Sequence, residues 1–157
     1  MNIEHVVRIA DLNARYADAI DADRLEAWPD FFLDDGRYRI TTAENVAQGL
    51  PLSMMYTTSR AMLRDRITAL REANVYEGQR YRHVLGTPLI VAAEAGGVRA
   101  RTSLMVARVM RTGETMLFAT GYYDDRVVFN GADGARFAEK TVVLDSRQID
   151  TLLAIPL

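Results

Sequence analysis

VRARTSLMVARVMRTGETMLFATGYYDDRVVFNGADGARFAEKTVVLD, residues Val98 to Asp145, is the stretch that decides the fold. It contains three β-rich runs, and the segments between them, RTGE and NGADGA, have the glycines and polar residues of hairpin turns. A further run, YRHVLGTPLIVAA, precedes it across the turn EAGG. Consecutive long strands joined by short turns predict a strongly curved antiparallel sheet.

The sequence before this sheet predicts helices. Residues 3–20 place apolar side chains at spacings of three and four, which is typical of an amphipathic helix. Asp23 is a candidate cap for a short helix over RLEAWPDFF, and Pro29 must kink or end that helix. A strand is expected to start near Arg37. Helices followed by an antiparallel meander predict an α+β domain, in which helices wrap one face of the sheet and leave a cone with a cavity at its open end.

SRAMLRDRITALREANVYEGQRYRH, residues Ser59 to His83, contains a third predicted helix and the start of the sheet. Ser59 is a candidate cap for that helix, whose buried stripe includes Leu63 and Ile67. The stretch has six arginines and no lysine. Arginines beside an apolar stripe suit a protein interface, because guanidinium groups pair with carboxylates and stack on rings. A solvated helix face is the simpler alternative.

Composition excludes several classes of function. A length of 157 residues suits a single domain, which we expect to span residues 1–157. The net charge of −2 provides no overall basic field for nucleic acid or anionic membranes. The absence of cysteine excludes thiolate zinc sites, iron–sulfur clusters and cysteine nucleophiles from this chain. No apolar stretch approaches the roughly 18 residues of a spanning helix, and no signal peptide is recognisable, so a cytoplasmic protein is expected.

The chain has only two histidines, His5 and His83. A metal site built from both is disfavoured, because they lie far apart in sequence on a helix and a strand. His83 shares a strand face with Tyr81 and could perform acid–base chemistry in the cone. The partners that it could meet there are Tyr38, Asp18 and Asp30. The alternative, which we favour, is a structural histidine that is hydrogen-bonded within the chain or to a partner.

Several segments, in this order, resemble the small (β) subunit of bacterial aromatic-ring-hydroxylating dioxygenases: LEAWPDFFLDDGRYRI, SRAMLRDRITALR, YEGQRYRHVLG, TGETMLFATGYYDD and RFAEKTVVLDSRQIDTLLAIPL. The resemblance covers nearly the whole chain. The segments GLPL, DRITALREANVYE and MRTGET further resemble small subunits of oxygenases that act on aromatic carboxylates such as terephthalate or salicylate.

The resemblance implies a cystatin-like cone, of the SnoaL and ketosteroid isomerase type. It also implies an iron-bearing large (α) subunit as partner, usually in an α3β3 assembly that receives electrons from NAD(P)H through a reductase or ferredoxin. The Rieske 2Fe–2S cluster and the mononuclear iron are expected in that partner, so this chain is expected to hold no catalytic, cofactor or metal residue. The expected function is a non-catalytic structural subunit. The alternative is a self-sufficient cone-fold dehydratase or isomerase that uses His83 with Tyr and Asp partners.

Within that family, the Arg-rich stretch is predicted to be an assembly surface. Its interface residues are expected to be Arg60, Arg64, Arg71, Arg80, Arg82 and His83. The apolar tail is expected to add an exposed patch, because contiguous exposed apolar residues usually mark an interface. The residues of that tail are Ile149, Leu152, Leu153, Ile155 and Leu157.

Overall fold

The computed structural model describes residues 2–73, 78–132, 134–148 and 155–157. The helical elements are α1 (Ile3–Asp21), a 3-10 helix (Leu25–Phe31), α2 (Ala43–Ala47) and α3 (Arg60–Ala73). The strands are β1 (Phe32–Thr42), β2 (Met55–Thr57), β3 (Gln79–Leu85), β4 (Leu89–Glu94), β5 (Gly97–Met110), β6 (Thr115–Asn130) and β7 (Gly134–Leu144). No helix among the described residues is long and apolar enough to span a membrane.

Helix α1 forms because its sequence combines an N-terminal cap with a continuous apolar stripe. The side chain of Asn2 accepts a hydrogen bond from the backbone N–H of Glu4 at 3.0 Å, which satisfies one free amide of the first turn. The buried stripe includes Val6, Ile9, Leu12, Tyr16 and Ile20. The helix predicted over residues 3–20 is therefore confirmed, with one further residue at its end.

The short helix that contains Pro29 is a 3-10 helix, and it leads directly into β1. The prediction that Asp23 caps it is wrong, because Arg24 occupies the cap position and no side chain caps the first turn. Asp23 instead has a left-handed φ of 59°, and its carboxylate lies 3.0 Å from the guanidinium of Arg71 on α3. A cation distant in sequence therefore engages the carboxylate that local sequence had suggested for capping.

The strands form one sheet in the order β2–β1–β7–β6–β5–β3, and β4 pairs with the remaining length of β5. All neighbouring strands are antiparallel except β1 and β7, which are parallel. The predicted α+β cone is confirmed, with this one parallel pair in an otherwise antiparallel sheet. Because β1 and β7 lie near opposite ends of the chain, no local turn signal reports their pairing.

The run YRHVLGTPLIVAA forms two strands rather than one. β3 pairs with residues 104–110 of β5, and β4 pairs with residues 97–101 of the same strand. Pro88 lies in the break between them, where its missing N–H costs no ladder hydrogen bond. Each predicted hairpin turn contains a glycine with positive φ, the backbone conformation that glycine adopts without steric cost. These glycines are Gly96, Gly113 and Gly131.

The two faces of the sheet differ in environment. The inner face packs against α1, and along β5 alternate residues are buried on this face and largely exposed on the outer face. Large aromatic side chains fill the inner side, and many of their rings meet edge to face, which is a favourable geometry for aromatic pairs. The members that are 0% exposed are Tyr16, Trp28, Phe32, Tyr38, Tyr123 and Phe137.

The last residues of the chain lie inside the cone. The hydroxyls of Tyr16 and Tyr38 each donate a hydrogen bond to the main-chain oxygen of Leu157 at 2.8 Å. The backbone N–H of Leu157 donates to the Tyr38 hydroxyl at 3.0 Å, and the indole N–H of Trp28 donates to the Tyr16 hydroxyl at 3.1 Å. Leu157 thus completes a buried polar network in the middle of the aromatic cluster.

This placement corrects the expectation of an exposed apolar tail. Ile155 and Leu157 are 6% and 0% exposed, so both belong to the core. The sequence pattern was misinterpreted because apolar residues after the last strand fit an interface and a core equally well. The other residues of the expected patch, Ile149, Leu152 and Leu153, lie outside the described residues.

Candidate functional site

His83 lies on the inner face of β3 and meets a carboxylate at the end of α1. His83 Nδ1 lies 2.6 Å from Asp21 Oδ1, and the backbone N–H of His83 donates to Asp21 Oδ2 at 2.9 Å. The His83 side chain is 0% exposed and that of Asp21 is 5% exposed. The pair therefore ties the first long strand of the antiparallel meander to α1 inside the protein.

The partners predicted for His83 lie elsewhere. Asp18 and Asp30 both face arginines at the surface, and the Tyr38 hydroxyl is bonded to the main chain of residue 157. The predicted set of His83 with Tyr38, Asp18 or Asp30 is therefore wrong, and Asp21 is the carboxylate that the histidine meets. Helical spacing contained the signal, because Asp21 continues the buried stripe of α1.

A cavity of about 550 Å³ opens beside this pair, between the end of α1 and the start of β3. Its described lining includes Asp21, Tyr81, Arg82 and Ile155, but not His83. A general base must come within hydrogen-bond reach of the proton that it transfers. In the described part of the cavity wall, no histidine does so. The arrangement thus suits a structural His–Asp pair better than the acid–base site of a cone-fold enzyme.

A second buried polar centre joins β6, β7 and α1. Lys140 Nζ lies 3.0 Å from Asp125 Oδ2 and donates to the side-chain oxygen of Asn13 at 3.1 Å. The ammonium also lies 3.5 Å from the centre of the Tyr123 ring, a favourable cation–π arrangement. Both charged side chains are buried, and protein groups surround the ammonium. This site therefore stabilises the fold rather than presenting a reactive group.

Burial shifts the pKa values of this pair in opposite directions. Loss of hydration raises the pKa of Asp125 to about 6, and the Lys140 charge partly opposes that rise. Loss of hydration likewise lowers the pKa of Lys140 to about 8. This buried ion pair was not predicted from the sequence, although strand alternation places both charged residues on the buried face of the sheet. Lys140 shares a strand face with Val142, and Asp125 shares one with Tyr123.

Three arginines of α3, namely Arg60, Arg64 and Arg71, form ion pairs with carboxylates of the same chain. Arg60 lies 2.9 Å from Asp34 and also donates to the backbone oxygen of Phe32. Arg71 lies 2.8 Å from Glu26, and this guanidinium holds the pKa of Glu26 below its ordinary value. Arg64 is more loosely placed, at 3.8 Å from Asp30. These contacts brace α3 against the 3-10 helix and the start of β1.

The arginines of β3 differ from those of α3. Arg80 and Arg82 are exposed on the outer face of the strand, and neither forms an ion pair with any described residue. They flank Tyr81, which faces inward. The guanidinium groups of Arg80 and Arg82 are therefore available to a partner.

Comparison with known proteins places this geometry in a family. A sequence profile of the SnoaL-like domain matches residues 1–141. The β1 subunit of the terminal oxygenase component of terephthalate 1,2-dioxygenase from Comamonas sp. is 48% identical over 152 residues, which cover 96% of this chain and 97% of that one. The anthranilate 1,2-dioxygenase small subunit from Burkholderia cepacia is 39% identical over 146 residues, covering 93% and 90%.

A solved structure agrees. The crystal structure of a β subunit assigned to an aromatic-ring-hydroxylating dioxygenase from Novosphingobium aromaticivorans superposes with a TM-score of 0.88 at 39% identity, covering 97% of this chain and 96% of that one. The chain belongs to the β-subunit family of aromatic-ring-hydroxylating dioxygenases. The family resemblance, the SnoaL-type cone and the small-subunit role are thus confirmed. The self-sufficient dehydratase or isomerase is not favoured.

As a dioxygenase β subunit, the chain is a component of an oxidoreductase, and its described residues do not fit the iron groups of such an enzyme. A Rieske cluster needs two cysteine thiolates, and the chain has no cysteine. A mononuclear iron site needs two histidines and a carboxylate on one face. Across the described parts of the chain, no group of three or more histidine, aspartate or glutamate side chains could hold a metal ion.

Proposed function

We propose that this β subunit is the non-catalytic, structural partner of an iron-bearing large subunit, in an α3β3 oxygenase that acts on an aromatic carboxylate. The end-to-end similarity to the terephthalate 1,2-dioxygenase subunit is the observation that carries the proposal. The anthranilate relative supports the same class, since terephthalate and anthranilate are both aromatic carboxylates. Residues 1–157 form one β-subunit domain of a cytoplasmic enzyme, which receives electrons from NAD(P)H through a reductase or ferredoxin.

The contacts inside the cone support a structural role. Leu157 is fully buried in the aromatic core, and its main-chain oxygen and N–H are hydrogen-bonded by Tyr16 and Tyr38. The His83 side chain is fully buried and does not line the cavity, and the Asp21 carboxylate that does line it is held by His83. Buried polar groups that bond one another favour a structural role over a reactive one.

The predicted interface is part of this proposal, and its members act in different ways. Arg80 and Arg82 contact the partner directly, because their guanidinium groups form no ion pair with any carboxylate among the described residues. The α3 arginines Arg60, Arg64 and Arg71 shape the neighbouring surface through intrachain ion pairs. His83 acts from inside, by fixing the strand that carries Arg82.

Co-expression with the large subunit of the Comamonas terephthalate 1,2-dioxygenase tests the proposed function. We expect the two chains to elute together as a hexamer in size-exclusion chromatography with light scattering. Iron analysis and oxygen uptake should assign both the metal and the turnover of aromatic acid to the pair, not to the small subunit alone. Stoichiometric iron in the lone chain, or dehydration or isomerisation catalysed by it, would overturn the proposal.

A further inference from the structure

The outer face of β3, β5 and β6 carries a contiguous apolar patch. Val84 on β3 lies opposite Met105 on β5, and Ala107, two residues further along β5, lies opposite Leu117 on β6. The exposed fractions of the three large side chains, Val84, Met105 and Leu117, are 60%, 48% and 58%. We define the outer patch as these four residues together with Arg82, which lies opposite Ala107.

The apolar side chains of the outer patch are contiguous, which indicates an interaction site. Single exposed apolar residues are normal on soluble proteins, whereas contiguous exposed apolar side chains mark interaction sites. Cross-strand partners lie side by side at about 5 Å, so Val84 and Met105 expose one continuous surface. The inner neighbours on the same strands, Tyr81 and Val106, are buried in the core. The inner side of the sheet is therefore packed into the core, whereas no described element covers its apolar outer side.

The charged residues around the patch are unbalanced, because the patch has an arginine and no carboxylate. Further along the same outer face, Arg99 lies 2.8 Å from Asp124, and Arg126 lies 2.8 Å from Glu94. Those arginines are satisfied within the chain. Arg82 borders the apolar residues without an ion pair among the described residues, and the outer patch itself contains no aspartate or glutamate.

We propose that the outer patch is the surface through which this β subunit binds the large subunit; the inference rests on the proposed function and names the contact face. The partner surface that fits has an apolar centre bordered by carboxylates, one of which pairs with Arg82. A second copy of this chain fits less well. Two outer patches face to face would bury their Arg82 guanidinium groups without a carboxylate, and an unpaired buried charge is costly. A standard interface buries about 800 Å² on each side, so the contact is expected to extend beyond these five residues.

Charge substitutions at exposed positions test this contact. Met105→Lys and Val84→Lys place an ammonium in the apolar centre, and we expect each to weaken binding to the Comamonas terephthalate dioxygenase large subunit by more than about tenfold. Ile3→Lys, at an exposed apolar position on α1, is the matched control and should change binding less than about twofold. Circular dichroism and the thermal midpoint should match the unmodified chain for all three, because the substituted side chains are exposed.

Arg82 gives a second, independent measurement. We expect Arg82→Glu to weaken binding and to remove part of its salt dependence, whereas Arg15→Glu on α1 should do neither. If the unmodified chain does not bind the large subunit, the proposed function fails and this inference fails with it. If the unmodified chain binds and the Met105→Lys and Arg82→Glu variants bind equally well, only the inference is overturned. Loss of self-association with intact binding to the large subunit would assign the patch to a second copy and also overturn it.

Discussion

The inner and outer faces of the sheet both contain charged and apolar side chains, but they differ in how these side chains are paired. On the inner face, Lys140 and Asp125 neutralise each other, and His83 is tied to Asp21. On the outer face of β3, β5 and β6, Arg82 forms no ion pair with a described residue, and three large apolar side chains are exposed. The inner face is satisfied by contacts within the chain and the outer face is not, so substitutions on the inner face should change stability and those on the outer face should change assembly.

The largest effect should come from the buried ion pair. Lys140→Met leaves the Asp125 carboxylate buried without its cation, which should reduce the free energy of unfolding by about 3–5 kcal/mol. Arg126→Met, which breaks an ion pair of the outer face, should cost less than about 1 kcal/mol. Urea unfolding of the two variants would measure the contrast. Equal losses would contradict the assignment of the inner pair to the core.

The Lys140→Met effect should also depend on pH. The pKa of Asp125 in the folded chain is raised to about 6, so stability from this carboxyl is fully present below its ordinary pKa and is lost as pH rises through 6. Removing the lysine charge raises that pKa further and extends the loss to higher pH. We expect the deficit of Lys140→Met relative to the unmodified chain to be larger at pH 7.5 than at pH 5. A deficit independent of pH would rule out this origin.

A smaller effect is expected at the His83–Asp21 pair. His83→Ala leaves a buried carboxylate with one backbone hydrogen bond, which should cost on the order of 1–3 kcal/mol. Arg82→Ala, the adjacent outward-facing position, should change the free energy of unfolding by less than about 0.5 kcal/mol. Complexes that still form with His83→Ala should keep much of their turnover. Normal assembly with a thousandfold loss of activity would instead make the histidine catalytic.

The smallest of the three stability effects concerns a single hydroxyl. Tyr38→Phe removes one donor to the Leu157 oxygen and the acceptor for the Leu157 N–H. We expect the free energy of unfolding to fall by about 1–3 kcal/mol. The loss should lie nearer the lower end, because Tyr16 still donates to that oxygen. Tyr56→Phe, at an exposed tyrosine on the neighbouring strand β2, should be neutral within about 0.5 kcal/mol. Thermal denaturation of both variants measures the difference, and equal midpoints would remove Leu157 from the core network.

Local signals in the sequence predicted much of the fold. Ser59 does cap α3, since its hydroxyl accepts from the backbone N–H of Met62 at 3.2 Å. The turns at Gly96 and Gly113, and the alternation of β5, are also confirmed. Each of these features depends on residues a few positions apart, where spacing and turn chemistry decide the structure.

Contacts between distant residues account for what the sequence did not predict. Asp21 and His83 are 62 positions apart, and the choice of Asp21 over Asp18 depends on how α1 packs against β3. Lys140 and Asp125 are 15 positions apart, and they meet because the register of β6 and β7 places them opposite each other. The interior position of Leu157 depends on two tyrosines that lie more than a hundred residues before it. The family was recognisable because the order and spacing of sequence blocks carry it without any knowledge of these contacts.

The hydrogen bonds that Tyr16 and Tyr38 form with Leu157 affect the order of folding during synthesis. Its partners Tyr16 and Tyr38 precede it by 141 and 119 residues, so helix α1 and strand β1 are made long before the core can be completed. At a translation rate of roughly 5–20 residues per second, Leu157 follows Tyr38 by roughly 6–24 s. During that interval the nascent chain has a half-built sheet with an open interior and an exposed apolar outer side. Incompletely folded chains with exposed apolar surface are prone to aggregation, and this vulnerability lasts until Leu157 is added.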